Sequence, residues 1–163
     1  MIAALVLGAV NFMNFTYPVN PCDDPGPVTV ENGKGSYANP KDPSMGFDIA
    51  VDRVVEGSLR AGTRQAVVVL TCTSFDGGGA EAYLFKEDGG RLRLIQKVAN
   101  AQWGADWGGD TIHIRFAGDV LYVDRCKIPN CRKGEEYVVT TYAFRGAKIV
   151  KVYEQTHRRA TFP

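Results

Sequence analysis

The sequence predicts an all-β protein: an antiparallel sandwich or strongly curved sheet of about ten short strands. Three observations carry this. Apolar and polar residues alternate over short runs, and helical periodicity is almost absent. Clusters of Gly, Pro, Asn and Asp separate those runs, in a chain with 18 glycines. Neighbouring runs are joined by tight-turn signals, so strands adjacent in sequence should pair antiparallel. A full β-propeller would need roughly four strands in each of at least four blades, more than this chain can supply.

Taken in order, residues 11–17 alternate as a strand, with Phe12 on one face and Met13, Phe15 and Tyr17 on the other. A Pro/Asp-rich loop carrying Cys22 follows over residues 18–27. Residues 28–31 form a strand that ends in Asn32-Gly33, a hairpin signal. Residues 39–45 are proline-containing and read as a loop, and residues 47–52 alternate as a half-buried strand. Residues 66–72 are a continuous apolar run rich in valine, as expected of a central strand buried on both faces. Asp76-Gly77-Gly78-Gly79 should break the chain before a strand over 80–86. That strand turns at Glu87-Asp88-Gly89-Gly90 into residues 91–98, where Leu94-Ile95 interrupts the alternation and implies a bulge. Residues 103–109 read as a loop. Residues 111–116 and 120–123 form a hairpin across Gly118-Asp119, and 137–144 and 148–153 form another across Arg145-Gly146.

The first ten residues stand apart. They are apolar and uncharged, but fall short of the about 20 residues that a spanning helix needs. The run resembles the apolar part of a signal peptide without its basic leader. It is expected to be a short helix or arm over residues 1–10, preceding one β domain over 11–163. Burying a Leu or Val side chain is worth about 1.5–3 kcal/mol, so Leu5, Val6 and Leu7 should pack on the body, on a partner or on a lipid surface.

A chain of 163 residues fits one domain with a substantial core. Its formal net charge of +1 provides no overall field for nucleic acid or an anionic bilayer. Four cysteines, Cys22, Cys72, Cys126 and Cys131, include no Cys-x-x-Cys pair, so a structural zinc site is disfavoured and no metal or other cofactor is expected. An even count in a loop-rich β chain favours disulfides and an oxidising compartment, periplasmic or extracellular. Of the possible pairings, Cys126 with Cys131 across Lys127-Ile128-Pro129-Asn130 is the simplest, leaving Cys22 with Cys72. The competing reading is buried free thiols in a cytosolic protein.

Three stretches carry a resemblance. Asn11-Phe12-Met13-Asn14-Phe15-Thr16-Tyr17-Pro18 is similar to an opening strand of the form F-x-N-x-T-Y-P. Residues 57–70 are similar to a turn and buried strand of the form G-D-L-T-G-D-G-x-x-E-A-V-V-x-L. The third is the cysteine-bracketed turn before a Tyr-rich strand. The chain thereby resembles small secreted bacterial proteins related to the FG-GAP/VCBS type of β module. That resemblance implies a β fold. It implies no calcium site here, because Ser58, Ala61 and Gln65 stand where the family's turn has carboxylates that could ligate the ion.

Two places suggest binding. Trp103 and Trp107, with Asp106 on a Gly-rich loop, can form an aromatic platform for a sugar or peptide, or can plug the end of the sandwich. Arg125, Lys127, Arg132 and Lys133 surround the late cysteine turn and suit an anionic partner, glycan or headgroup, or a merely solvated loop. No catalytic residues are assigned. His113 sits between two isoleucines and should point away from them, His157 lies in a basic tail, and neither adjoins a nucleophile motif. The expected function is therefore that of a non-catalytic extracytoplasmic interaction protein with a protein partner, such as a small accessory subunit of an envelope or membrane-attached assembly. A secreted inhibitor or immunity protein against an envelope-targeting enzyme is the alternative, and a hydrolase the third reading. A pocket holding His113 with a carboxylate in reach would favour the last.

Overall fold

The computed structural model describes residues 10–22, 26–39, 41–60, 62–74, 77–89, 91–104, 112–126, 136–145 and 148–158. Among them are eleven strands: β1 (Phe15–Tyr17), β2 (Val28–Val30), β3 (Lys34–Asn39), β4 (Asp42–Gly57), β5 (Gln65–Ser74), β6 (Gly77–Asp88), β7 (Arg91–Gly104), β8 (Ile112–Ala117), β9 (Val120–Cys126), β10 (Glu136–Arg145) and β11 (Lys148–Arg158). No helix occurs among the described residues. The expected apolar arm over 1–10 lies outside them, apart from half-buried Val10.

All pairings are antiparallel. β3–β7 form one five-stranded sheet in sequence order, β8–β11 a four-stranded sheet, and β1–β2 a small ribbon. The five-stranded sheet is the middle layer. From residue 65 to residue 70 β5 is continuously buried. Val67 and Val69 pack with Leu59, Ala82, Leu84, Leu121, Val123 and Ile149, the last three from the four-stranded sheet. Val68 and Leu70 pack the other way, with Tyr17, Val28 and Val30 from the ribbon and Ile49, Tyr83 and Phe85 of their own sheet. The apolar run of β5 has no polar face because neither face meets water.

Local signals explain the ribbon's position. Asn32 (φ 51°) and Gly33 (φ 77°) are both left-handed, as a tight hairpin turn demands. Glu31 and Lys34 exchange backbone hydrogen bonds across that turn, and the Gly33 N–H donates to the Met13 carbonyl. The expected strand over 11–17 shrinks to Phe15–Tyr17, because Asn11 turns the chain back. Its carbonyl accepts from the Asn14 N–H and its Oδ1 from the Met13 N–H. Tyr17 is fully buried, and its hydroxyl donates to the Phe12 carbonyl at 2.6 Å.

Three other expectations change. The strands are longer than expected: β4 starts at Asp42, so the loop expected over 39–45 reduces to a turn in which Asn39 Oδ1 accepts from the Lys41 N–H. A register shift between Val51 and Arg53 lets β4 continue to Gly57. Gly77, Gly78 and Gly79 belong to β6 rather than to a break. A Cβ on Gly78 would lie 2.4 Å from the Cys72 carbonyl oxygen, so the neighbouring backbone leaves no room for a side chain there. β7 likewise runs on through Trp103 and Gly104. The bulge expected at Leu94-Ile95 is present, since the partners of Leu84 and Phe85 are Gln96 and Leu94.

Cys22 and Cys72 are disulfide-bonded, with Cα atoms 5.4 Å apart. The bond ties the segment after β1 to β5, and it is consistent with an oxidising environment. Cys126 is also disulfide-bonded, while its expected partner Cys131 lies outside the described residues.

The Cys22–Cys72 bond spans a sequence separation of 50. The chain-entropy model then assigns it about 4 kcal/mol of stability. Replacing both residues by alanine should lower the unfolding free energy by that order in a urea titration. An unchanged midpoint would show that β1 and β2 stay docked without it.

Candidate functional site

Alternation decides which side chains of the four-stranded sheet face out. In β8, Ile112, Ile114 and Phe116 join the core, so His113 and Arg115 point to the opposite face, as expected for His113. In β9, Leu121 and Val123 face in, leaving Tyr122 and Asp124 outward. Register then assembles three rows on the outer face. The first joins Cys126, Tyr137 and His157. The second joins His113, Asp124, Val139 and Gln155. Arg115, Tyr122, Thr141 and Tyr153 make the third.

These rows are rich in rings. Tyr137 and His157 stack, with centroids 5.4 Å apart and planes at 25°. The Arg115 guanidinium carbon lies 3.9 Å from the Tyr122 ring centre, a cation–π contact. The Tyr153 hydroxyl donates to Gln155 Oε1, and its ring is 53% exposed. Among the described residues no element packs across this face, whereas both faces of the middle sheet are covered.

At the centre is Asp124. Its Oδ1 is buried and has no hydrogen-bond partner among the described residues. Burial pushes its carboxyl above the ordinary range, while Arg115, His113 and His157 pull it back. The contrast with Glu81 is instructive. Glu81 is also buried, yet it receives the Tyr83 hydroxyl on one oxygen and Lys97 Nζ, at 2.6 Å, on the other. Glu81 is a satisfied structural group. Asp124 is an acceptor beside two histidines and an arginine, on a face with aromatic handles.

The pair formed by His113 and Asp124 brings a carboxylate beside the histidine, on a sheet face that no described element covers. The described cavities lie elsewhere. One, of about 570 Å3, opens at the ends of β3, β4 and β5 beside Tyr37 and Phe47, whose rings are 6.4 Å apart. Another, of about 460 Å3, opens between the two large sheets.

Of the residues singled out from sequence, Trp103 lies on β7 opposite Gly78, while Asp106 and Trp107 lie outside the described residues. Arg125 sits on the inward side of β9, in register with Ile112 and Val138, where its charge acts on Tyr142 and Glu154. Lys127, Arg132 and Lys133 lie outside the described residues. The outer-face cluster escaped the sequence reading because its members are far apart in the chain. Its signal was the strict alternation of 112–116 and 121–125, which fixes the face of His113 and Asp124 but not their register. No family model, curated protein or solved structure matches the chain.

The raised carboxyl of Asp124 makes a signed prediction. The folded state holds this proton more tightly than the unfolded chain, so Asp124 weakens the fold as pH rises through and above the ordinary carboxylate range. Asp124→Asn removes that effect. The variant should melt a few degrees above the parent near pH 7, and the gap should close towards about pH 3. A gap that is constant with pH, or a lower melting point near pH 7, would show that the ionised carboxylate is satisfied in the fold.

Proposed function

We propose that the protein is a non-catalytic binding protein of an oxidising, extracytoplasmic compartment, periplasmic or secreted. In this reading it acts as a small accessory subunit of a larger envelope or membrane-attached assembly. Its docking surface is the outer face of the β8–β11 sheet. The observation that carries the reading is that face: Tyr122, Tyr137, Tyr153, His113 and His157 share it with Asp124, and no described element packs across it. Interfaces favour aromatic anchors and arginine around a few well-placed polar groups. A protein surface laid on this face would cover the rings.

Two further features fit. β11 is an edge strand of eleven residues, largely exposed, whose outer edge pairs with no described strand and can accept a partner strand. The Cys22–Cys72 bond supports an oxidising location. No helix among the described residues is long and apolar enough to cross a membrane.

The test is the native mass of the protein drawn from its own envelope or extracellular fraction. The parent should elute in a complex larger than the free chain. Tyr153→Arg, at an exposed position, should release it as a monomer with unchanged melting. A parent that elutes as a free monomer would overturn the reading, as would a complex indifferent to Tyr153→Arg and to Thr141→Arg.

A further inference from the structure

A second, separate feature lies at one mouth of the sandwich, where the middle sheet and the four-stranded sheet part. Register places Gln65, Lys86 and Arg93 side by side across β5, β6 and β7. Their row shares the inward face with Val67, Val69 and Leu84. Lys148, at the start of β11, and Arg60, in the turn before β5, complete the rim of a cleft of about 460 Å3. The inner wall is apolar, from Phe144, Ile149 and Ile95.

The charges here are one-sided. Arg60, Lys86, Arg93 and Lys148 line the cleft, and among the described residues no carboxylate does. Among the described residues none of the four is held in an ion pair. Two nearby carboxylates are already taken. Arg64 holds Glu56 at 3.0 Å and Glu87 at 3.2 Å. Four cations on one rim create a local positive potential that favours an anion.

Gln65 supplies the second, independent observation. It lines the cleft, yet is only 1% exposed. Its Oε1 accepts the Leu59 N–H at 2.6 Å, which fixes the orientation of the amide. The Nε2 group on the other side is therefore a donor, and it has no partner among the described residues. A buried donor left unpaired is rare in a native fold and marks a place where an acceptor belongs.

We infer that this cleft is a binding site for a small soluble organic anion, a phosphate monoester carrying a compact apolar group. A dianion matches four cations better than a single carboxylate does, and the two arginines offer forked donors to its oxygens. Gln65 Nε2 donates to one further oxygen. The apolar group lies against Phe144 and Ile149. The site is on the opposite side of the four-stranded sheet from the proposed docking face, so it stands or falls independently of the partner reading.

Phenyl phosphate is the probe, with inorganic phosphate and phenol as its two halves. Titration followed by amide NMR should show saturable shifts at the Gln65 side-chain amide and along residues 86, 93 and 148. Phenyl phosphate should bind more tightly than inorganic phosphate, and phenol should not saturate the site. Raising the salt should weaken binding. Arg93→Ala and Lys148→Ala, both at exposed positions, should each weaken binding by about tenfold. Gln65→Glu keeps the acceptor for Leu59 while replacing the free donor with a carboxylate oxygen, and should abolish binding. The two surface variants decide the matter even if Gln65→Glu does not fold. Absence of saturable shifts with phenyl phosphate would overturn the inference. So would affinities unchanged in Arg93→Ala and Lys148→Ala, or binding seen only to vesicles containing phosphatidic acid.

Discussion

The constraint on which the structure depends is the burial of β5 on both faces. A strand reading Gln-Ala-Val-Val-Val-Leu has apolar side chains pointing both ways, so a single covering layer would leave half of them in water. At about 25 cal/mol per Å2 of apolar surface removed from water, an uncovered row of Val68, Leu70, Tyr83 and Phe85 would be a large loss. The four-stranded sheet covers one face, and the short β1–β2 ribbon covers the other. One pair of three-residue strands would be marginal alone. They persist because Tyr17 is buried among aromatic rings, with its centroid 5.1 Å from that of Phe15 and 5.8 Å from that of Phe85, and because Cys22 is bonded to β5.

The same constraint separates structural from available polar groups. Glu81 lies on the covered face, and its neighbours satisfy both oxygens. Asp124 lies on the one face of the four-stranded sheet that no described element covers, and one of its oxygens has no protein partner there. Gln65 marks the end of the covered zone on the other side of that sheet, where the core gives way to a basic rim. Asp124 and Gln65 therefore both sit where the layering stops.

Much of the fold was legible in local sequence. The valine run named the central strand, Asn32-Gly33 named a hairpin, Leu94-Ile95 named a bulge, and Ile112-His113-Ile114 named which way the histidine points. The ribbon's role as a third layer was not legible, because no three-residue strand shows which sheet it covers. Nor was the length of β4. Residues 39–45 read as loop, yet antiparallel pairing with β3 resumes at Asp42 through an irregular register. The binding features were the least legible. The row from His113 to Gln155 depends on three successive registers, β8 with β9, β9 with β10 and β10 with β11, and the cleft depends on how the two sheets splay. Alternation fixes a side chain's face, whereas its neighbours across the sheet are set by register.

The central claim is that β5 and β6 form a core closed on both sides. Native-state hydrogen exchange tests it most directly. Backbone amides of Val67, Val68, Val69, Leu70, Leu84 and Phe85 should exchange only through global unfolding, with opening free energies equal to that from denaturant titration. Amides over the exposed stretch of β11 should open far more easily. If those β5 and β6 amides exchanged through local openings as fast as β11, the middle sheet would not be closed on both faces.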